Sequence, residues 1–169
     1  INSPVLRQDM HLNDLRIDLK HGKKGMAYIT NSSFGTTPSL VVVDIATGQA
    51  REVLANHYST AIQKGYIAFL EGEARAYHND SVTLPSGGAN GIALVGDRLY
   101  WTPITGRGLY SISTDSLSDF NIPEADLDCA VRYEGDRPAC DGLAEDIDGN
   151  IYFSAYEQMA LVNRNPDGT

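Results

Sequence analysis

No stretch of this chain is apolar over the roughly 20 residues that a membrane-spanning helix needs. Basic charge is scarce. Thirteen Lys and Arg stand against 22 Asp and Glu, which gives a formal net charge of -9. Such a chain has no basic field to offset phosphates, so nucleic acid is excluded as a partner and anionic membrane surfaces are disfavoured. The four histidines, His11, His21, His57 and His78, have no zinc spacing. There is no Gly-x-Ser-x-Gly elbow, and Ser86-Gly87-Gly88 reads as a loop rather than a phosphate cradle. Only two cysteines occur, Cys129 and Cys140. In an oxidising compartment they suggest one disulfide; in a reducing one they are free thiols.

What is present is a globular composition, 42% hydrophobic and 21% charged over 169 residues, enough for one domain with a core. One phrase occurs three times. Leu12-Asn13-Asp14-Leu15-Arg16-Ile17-Asp18 is followed by Ala27-Tyr28-Ile29-Thr30. Ala89-Asn90-Gly91-Ile92-Ala93-Leu94 is followed by Leu99-Tyr100-Trp101-Thr102. Cys140-Asp141-Gly142-Leu143-Ala144-Glu145-Asp146 is followed by Ile151-Tyr152-Phe153-Ser154. Each copy joins a polar residue, a short strand, a turn and an aromatic strand. Short strands repeated in fixed order predict an all-β fold, a β-propeller.

The openings at Asn90 and Asp141 are 51 residues apart, close to one blade; those at Asn13 and Asn90 are 77 apart. The spacing predicts three blade units, at about 12–54, 89–113 and 129–164, with an insertion at about 55–88. Three blades leave a ring open, because propellers close with about 4–8. The chain starts at Ile1 and stops after a turn-like Asn165-Pro166-Asp167-Gly168, so both ends read as cut. Remaining blades of the same protein, or a second copy, are expected to close the ring. The stretch from Asp115 to Asp128 is the best helix candidate, capped by Asp115 or Ser116 and limited by Pro123 to two short turns.

Equivalent places in a propeller converge on its axis, so Asn13, Asn90 and Asp141 are expected to line a central pocket for a small molecule. Asn90 and Asp141 offer a neutral and an anionic oxygen, a pairing that suits a hard divalent cation, calcium first. The alternative is that each merely starts a strand by bonding its own backbone in a turn. Asp14 is a further oxygen donor. His11 precedes Asn13 at the channel mouth, as a ligand contact or acid/base, or as a solvated side chain. Aromatics on strands are expected in the core; Tyr133 and Tyr156 fall outside the strands and are candidates for a ligand face. Asp146-Ile147-Asp148-Gly149-Asn150 reads as a turn with Asp148-Gly149 at its tip, not as a calcium loop. Asn31-Ser32-Ser33 and Asn79-Asp80-Ser81 are glycan acceptor triplets if the source is eukaryotic and secretory.

Several phrases resemble the major royal jelly protein / Yellow family, most closely its microbial, dopachrome-tautomerase-related branch. They are Leu40 to Gly48, Arg51 to His57, Leu84 to Leu94, Leu99 to Ser111, Val131 to Arg137 and Cys140 to Phe153. The resemblance implies a secreted, six-bladed propeller of more than twice this length, acting as a tautomerase on catechol or indole metabolites or binding a ligand in its channel. A more distant resemblance is to the regucalcin–gluconolactonase propellers. It implies a metal held by Asn90 and Asp141, with Asp141 as the base of lactone hydrolysis and Asn13 as a substrate contact. Against that pattern, His11 replaces an Arg and the first-blade Glu ligand lies upstream. A non-catalytic binding or interaction protein is the third alternative.

Overall fold

The computed structural model describes residues 5–33, 37–76 and 87–169, with the backbone alone at 75 and 76. The expected triplet at Asn79, together with His78 and Ser86, lies outside the described residues. The described chain is mostly β and forms blades of a propeller. The first blade is a four-stranded antiparallel meander of β1 (Leu12–Asp18), β2 (Met26–Asn31), β3 (Ser39–Asp44) and β4 (Ala50–Val53). Next comes a two-stranded hairpin, β5 (Ile67–Leu70) and β6 (Glu73–Ala76). The second blade holds β7 (Ala89–Val95), β8 (Arg98–Pro103), β9 (Gly108–Ser113) and β10 (Arg132–Asp136), with two short helices, α1 (Thr114–Ser118) and α2 (Glu124–Ala130), between β9 and β10. The third has β11 (Cys140–Glu145), β12 (Ile151–Ala155) and β13 (Ala160–Arg164). No helix among the described residues is long and apolar enough to cross a membrane.

Two boundaries differ from the sequence reading. The Val131–Arg137 region, read as part of the third unit, supplies β10, which pairs with β9 and completes the second blade. The helical stretch starts slightly earlier than expected. Its cap is Ser113, whose hydroxyl accepts the Asp115 amide at 3.2 Å, and Pro123 separates α1 from α2. Pro123 has no N–H to donate and a fixed φ, so it suits the entry of α2.

The strand aromatics pack between blades as their residue types predict. Tyr28, Leu40, Val42, Ile92, Leu99, Trp101 and Ile112 form one cluster between the first and second blades. The Trp101 indole N–H finds the Ser59 carbonyl at 3.0 Å, so this side chain is buried without an orphan donor. Ala93, Leu109, Cys140, Leu143, Ile151 and Phe153 fill the space between the second and third. The Asp146 side chain accepts the amides of Asp148 and Asn150, which makes the expected turn.

The first two blades are also clasped by charge. The Nδ1 of His21 lies 2.6 Å from Asp18 Oδ2, and its Nε2 lies 2.7 Å from Asp115 Oδ1 on α1. Ionised carboxylates only accept, so this geometry asks for a doubly protonated imidazolium. The Asp18 hydrogen bond, then Asp115, holds the His21 pKa above its ordinary value. A raised folded pKa stabilises below the unfolded value of about 6.5 and is lost as pH rises through the folded value. Replacing His21 with Asn should therefore cost about 1 kcal/mol at pH 6, and less at pH 9. Urea unfolding at the two pH values checks this; equal costs at both would show that His21 is neutral in the clasp.

Candidate functional site

The innermost strands β1, β7 and β11 lie side by side, with β7 in the middle. Each is bulged at the place where the repeated phrase carries Asn or Asp. Register shifts fall between Leu12 and Leu15, between Ala89 and Gly91, and between Cys140 and Leu143. A bulge puts one extra residue into a strand and re-aims its side chain. Here the bulges hold Asn13, Asn90 and Asp141. In two of the three blades the hydroxyl one residue before the end of the aromatic strand supports the bulge. Thr30 Oγ1 accepts the Asp14 amide at 3.2 Å, and Ser154 Oγ accepts the Gly142 amide at 2.9 Å. Thr102, the third member, turns instead to the Gly108 carbonyl at 3.0 Å.

The three side chains form one hydrogen-bonded chain across the blades. The Asn13 amide donates to Asn90 Oδ1, and Ser32 Oγ donates to the same oxygen at 2.9 Å. The Asn90 amide donates to Asp141 Oδ1 at 2.5 Å and to the Asp141 carbonyl at 3.1 Å. Asn90 is 4% exposed, whereas Asp141 and Asn13, at the two ends of the chain of bonds, are both exposed. The Asn90 main-chain carbonyl accepts Thr30 Oγ1 at 2.7 Å, which locks the centre of the relay. Asn90 therefore does not bond its own backbone in a turn; it bridges three blades.

The donor set does not fit a calcium ion by itself. Calcium takes six to eight oxygens. The relay offers one carboxylate, and the Asn90 oxygen already accepts two hydrogen bonds. Asp14 turns to Arg16, 3.2 Å from its guanidinium. Among the described residues no three of His, Cys, Asp and Glu gather to hold a metal.

The other expected residues divide. Tyr156 lines a cleft of about 490 Å3 together with Asp141, Met159 and Leu161. Its hydroxyl bonds that of Tyr66, a residue that belongs to the insertion in the linear reading. Burial pushes the Tyr156 phenol well above its ordinary pKa, so it stays protonated. Tyr133 lies on β10, three strands out from β7, roughly 14 Å by inter-strand spacing. It is 56% exposed and donates to Asp136 at 2.6 Å, which pushes its pKa up to about 12. It is not part of the relay. His11 is anchored through its backbone, its N–H donating to Asn31 Oδ1 at 2.9 Å, and the residue is exposed.

Two further expectations are corrected. Cys129 and Cys140 are both free, Cys129 exposed on α2 and Cys140 buried at the start of β11. Asn31 is fully buried with its amide held by Thr37 and Ser39, so it presents no glycan acceptor in the folded chain. The residues that sequence reasoning missed are Ser32 and Thr30, which hold Asn90. Thr30 had one visible signal, the hydroxyl shared by the three repeated aromatic strands, and Ser32 had only its place in the glycan triplet.

Bulged inner strands converging through polar side chains define the protein as a β-propeller with an axial polar centre. The chain belongs to the major royal jelly protein family, whose sequence model matches residues 1–169. A comparison with curated proteins returns no match. Among solved structures it is similar to a catalytically inactive virginiamycin B lyase from Staphylococcus aureus with quinupristin. The identity is 12% and the TM-score 0.33, over 95% of this chain and 57% of that one. This chain thus spans little more than half the length of that lyase.

Proposed function

We propose that this chain carries the ligand-binding centre of a Yellow-like propeller protein, in which Asp141 is the proton acceptor for tautomerisation of a catechol or indole metabolite. The observation behind this reading is the relay that ends in an exposed carboxylate. The Asn90 amide fixes Asp141 Oδ1. Oδ2 has no hydrogen-bond partner among the described residues. A tautomerase takes a proton from carbon beside a carbonyl and returns it elsewhere on the same molecule, and a fixed carboxylate can do the first step. Tyr156 and Met159 in the same cleft give apolar surface for a planar ring. Extracellular location is part of the proposal and rests on family membership. So is a closing partner for the ring, either further blades or a second copy. Leu15, Ile17, Met159 and Leu161, exposed on the first and third blades, support it.

Asp141→Asn tests the assignment. The new amide oxygen still accepts from Asn90, so the fold should keep its Tm. Dopachrome conversion by the variant should fall at least about 100-fold below that of the native protein. Equal rates in the two proteins would remove Asp141 from the chemistry, and the binding-protein reading would then stand.

A further inference from the structure

Arg137 is 5% exposed, yet no carboxylate is among its hydrogen-bond partners. It follows β10 and turns inward. Its Nη2 donates to Thr102 Oγ1 and, at 2.6 Å, to the Pro103 carbonyl; its Nη1 donates to the Pro138 carbonyl at 2.6 Å. All three acceptors are neutral. The Nε–H is buried and has no partner. A buried Lys can shed its proton, but Arg cannot within the pH range of proteins. A guanidinium in this position therefore carries a charge that its contacts leave uncompensated, and such a charge is costly unless paired.

The surroundings narrow the partner. Arg137 lines a cleft of about 170 Å3 between the second and third blades, walled by Phe153 and Val162. Glu134 and Asp136 also line it, as does Arg164. Glu134 is paired with Arg164 at 3.3 Å, and Asp136 accepts the Tyr133 hydroxyl at 2.6 Å. Glu157 is close enough to feel Arg137, but it bonds Arg107 at 2.8 Å. Two guanidiniums thus share one carboxylate there. The neighbouring Cys140 thiol is pushed up to about 11 by burial, so it stays neutral and does not balance the charge.

We propose that Arg137 holds one compact monovalent anion on its Nε–H, either chloride or a single carboxylate oxygen of a small acid. The Nε–H is buried on a residue that lines a narrow cleft, and one N–H takes one anionic atom. A bidentate clamp is unavailable because Nη2 is already committed to Thr102 and Pro103.

The test uses the native protein exchanged into sodium gluconate, a bulky anion. Its Tm is followed while chloride, and separately formate, replaces gluconate at constant ionic strength. The expected result is a saturable rise of about 5 °C. Arg137→Lys, which keeps a cation and loses Nε, should give a flat response. A response to both salts assigns a general anion site, and a response to formate alone assigns it to a carboxylate oxygen. Should Arg137→Lys fail to fold, the chlorine NMR line width of chloride with the native protein reads the site directly. Excess broadening that formate removes is then expected. A Tm indifferent to both salts overturns the proposal, as does an equal rise in Arg137→Lys.

Discussion

Gly91→Ala should destabilise the protein by about 3 kcal/mol and lower its Tm by about 10 °C. A Cβ built at Gly91 falls 2.4 Å from Leu143 Cδ1, 2.9 Å from the Asp141 carbonyl oxygen and 3.0 Å from the Leu143 amide nitrogen. The leucine methyl can swing away. The two backbone atoms belong to β11 and move only with the strand. An alanine here pushes β7 and β11 apart at the place where Asn90 reaches Asp141, so the relay should be lost with the packing. Gly142, the matching glycine of the third copy, is the control. A Cβ there meets nothing nearer than Ser154 Oγ at 3.9 Å. Gly142→Ala should keep the native Tm to within about 2 °C, because it adds no clash and reduces the freedom of the unfolded chain. Thermal denaturation by circular dichroism separates the two. Equal losses would show that the glycines serve the bulge itself rather than the approach of two blades.

That contrast marks what a linear reading can reach. Both glycines follow an Asn or Asp at the same place in the phrase, and nothing local distinguishes them. The repeat itself was legible, because alternating strands and aromatic positions are local patterns, and they pointed to three blades and the convergence of Asn13, Asn90 and Asp141. The bulges were not. A bulge is a mismatch between two strands, here Asn13 and Asp14 facing the single Thr30, and it exists only once the register is known. The edge of the second blade was hidden for a related reason. Some 18 residues with two short helices separate β9 from β10, so β10 reads as the start of the third blade.

At the site, residue types predicted oxygen donors and the fold redirected them. Ser32 was visible only as part of a glycan triplet. Its hydroxyl is instead buried against the Ala89 carbonyl and the Asn90 side chain, at 2.9 Å from each. Tyr66 reached the site from the insertion, 90 residues from Tyr156 in sequence. Arg137 closes one of the resembling phrases, Val131 to Arg137, but the phrase gives it no role. Its meaning comes from burial beside neutral acceptors, and burial is a property of the assembled blades.

Asn90→Asp should unfold the centre in a pH-dependent way, losing about 3 kcal/mol at pH 7.5 and much less at pH 4.5. The substitution exchanges an N–H donor for an oxygen. That oxygen then faces Asp141 Oδ1 across 2.5 Å and the Asp141 carbonyl across 3.1 Å, with no proton between them. Like charges this close cannot both ionise, so the pair takes up one proton and the pKa of one carboxyl rises above its unfolded value of about 4. A raised folded pKa means that the folded state binds more protons. Stability then falls as pH climbs from the unfolded towards the folded value, by about 1.4 kcal/mol per unit. Asn90→Ala removes the same hydrogen bonds without adding charge, and its loss should be nearly level across this range. Urea unfolding of both variants at the two pH values decides the matter. Parallel profiles would mean that the amide group of Asn90 does not face Asp141. The same repulsion accounts for the order of residues in the repeated phrase. Three oxygens brought to one axis cannot all be anionic, and two amides are what supply the N–H groups between them. Asn, Asn and Asp leave a single carboxylate, placed at the open end of the relay.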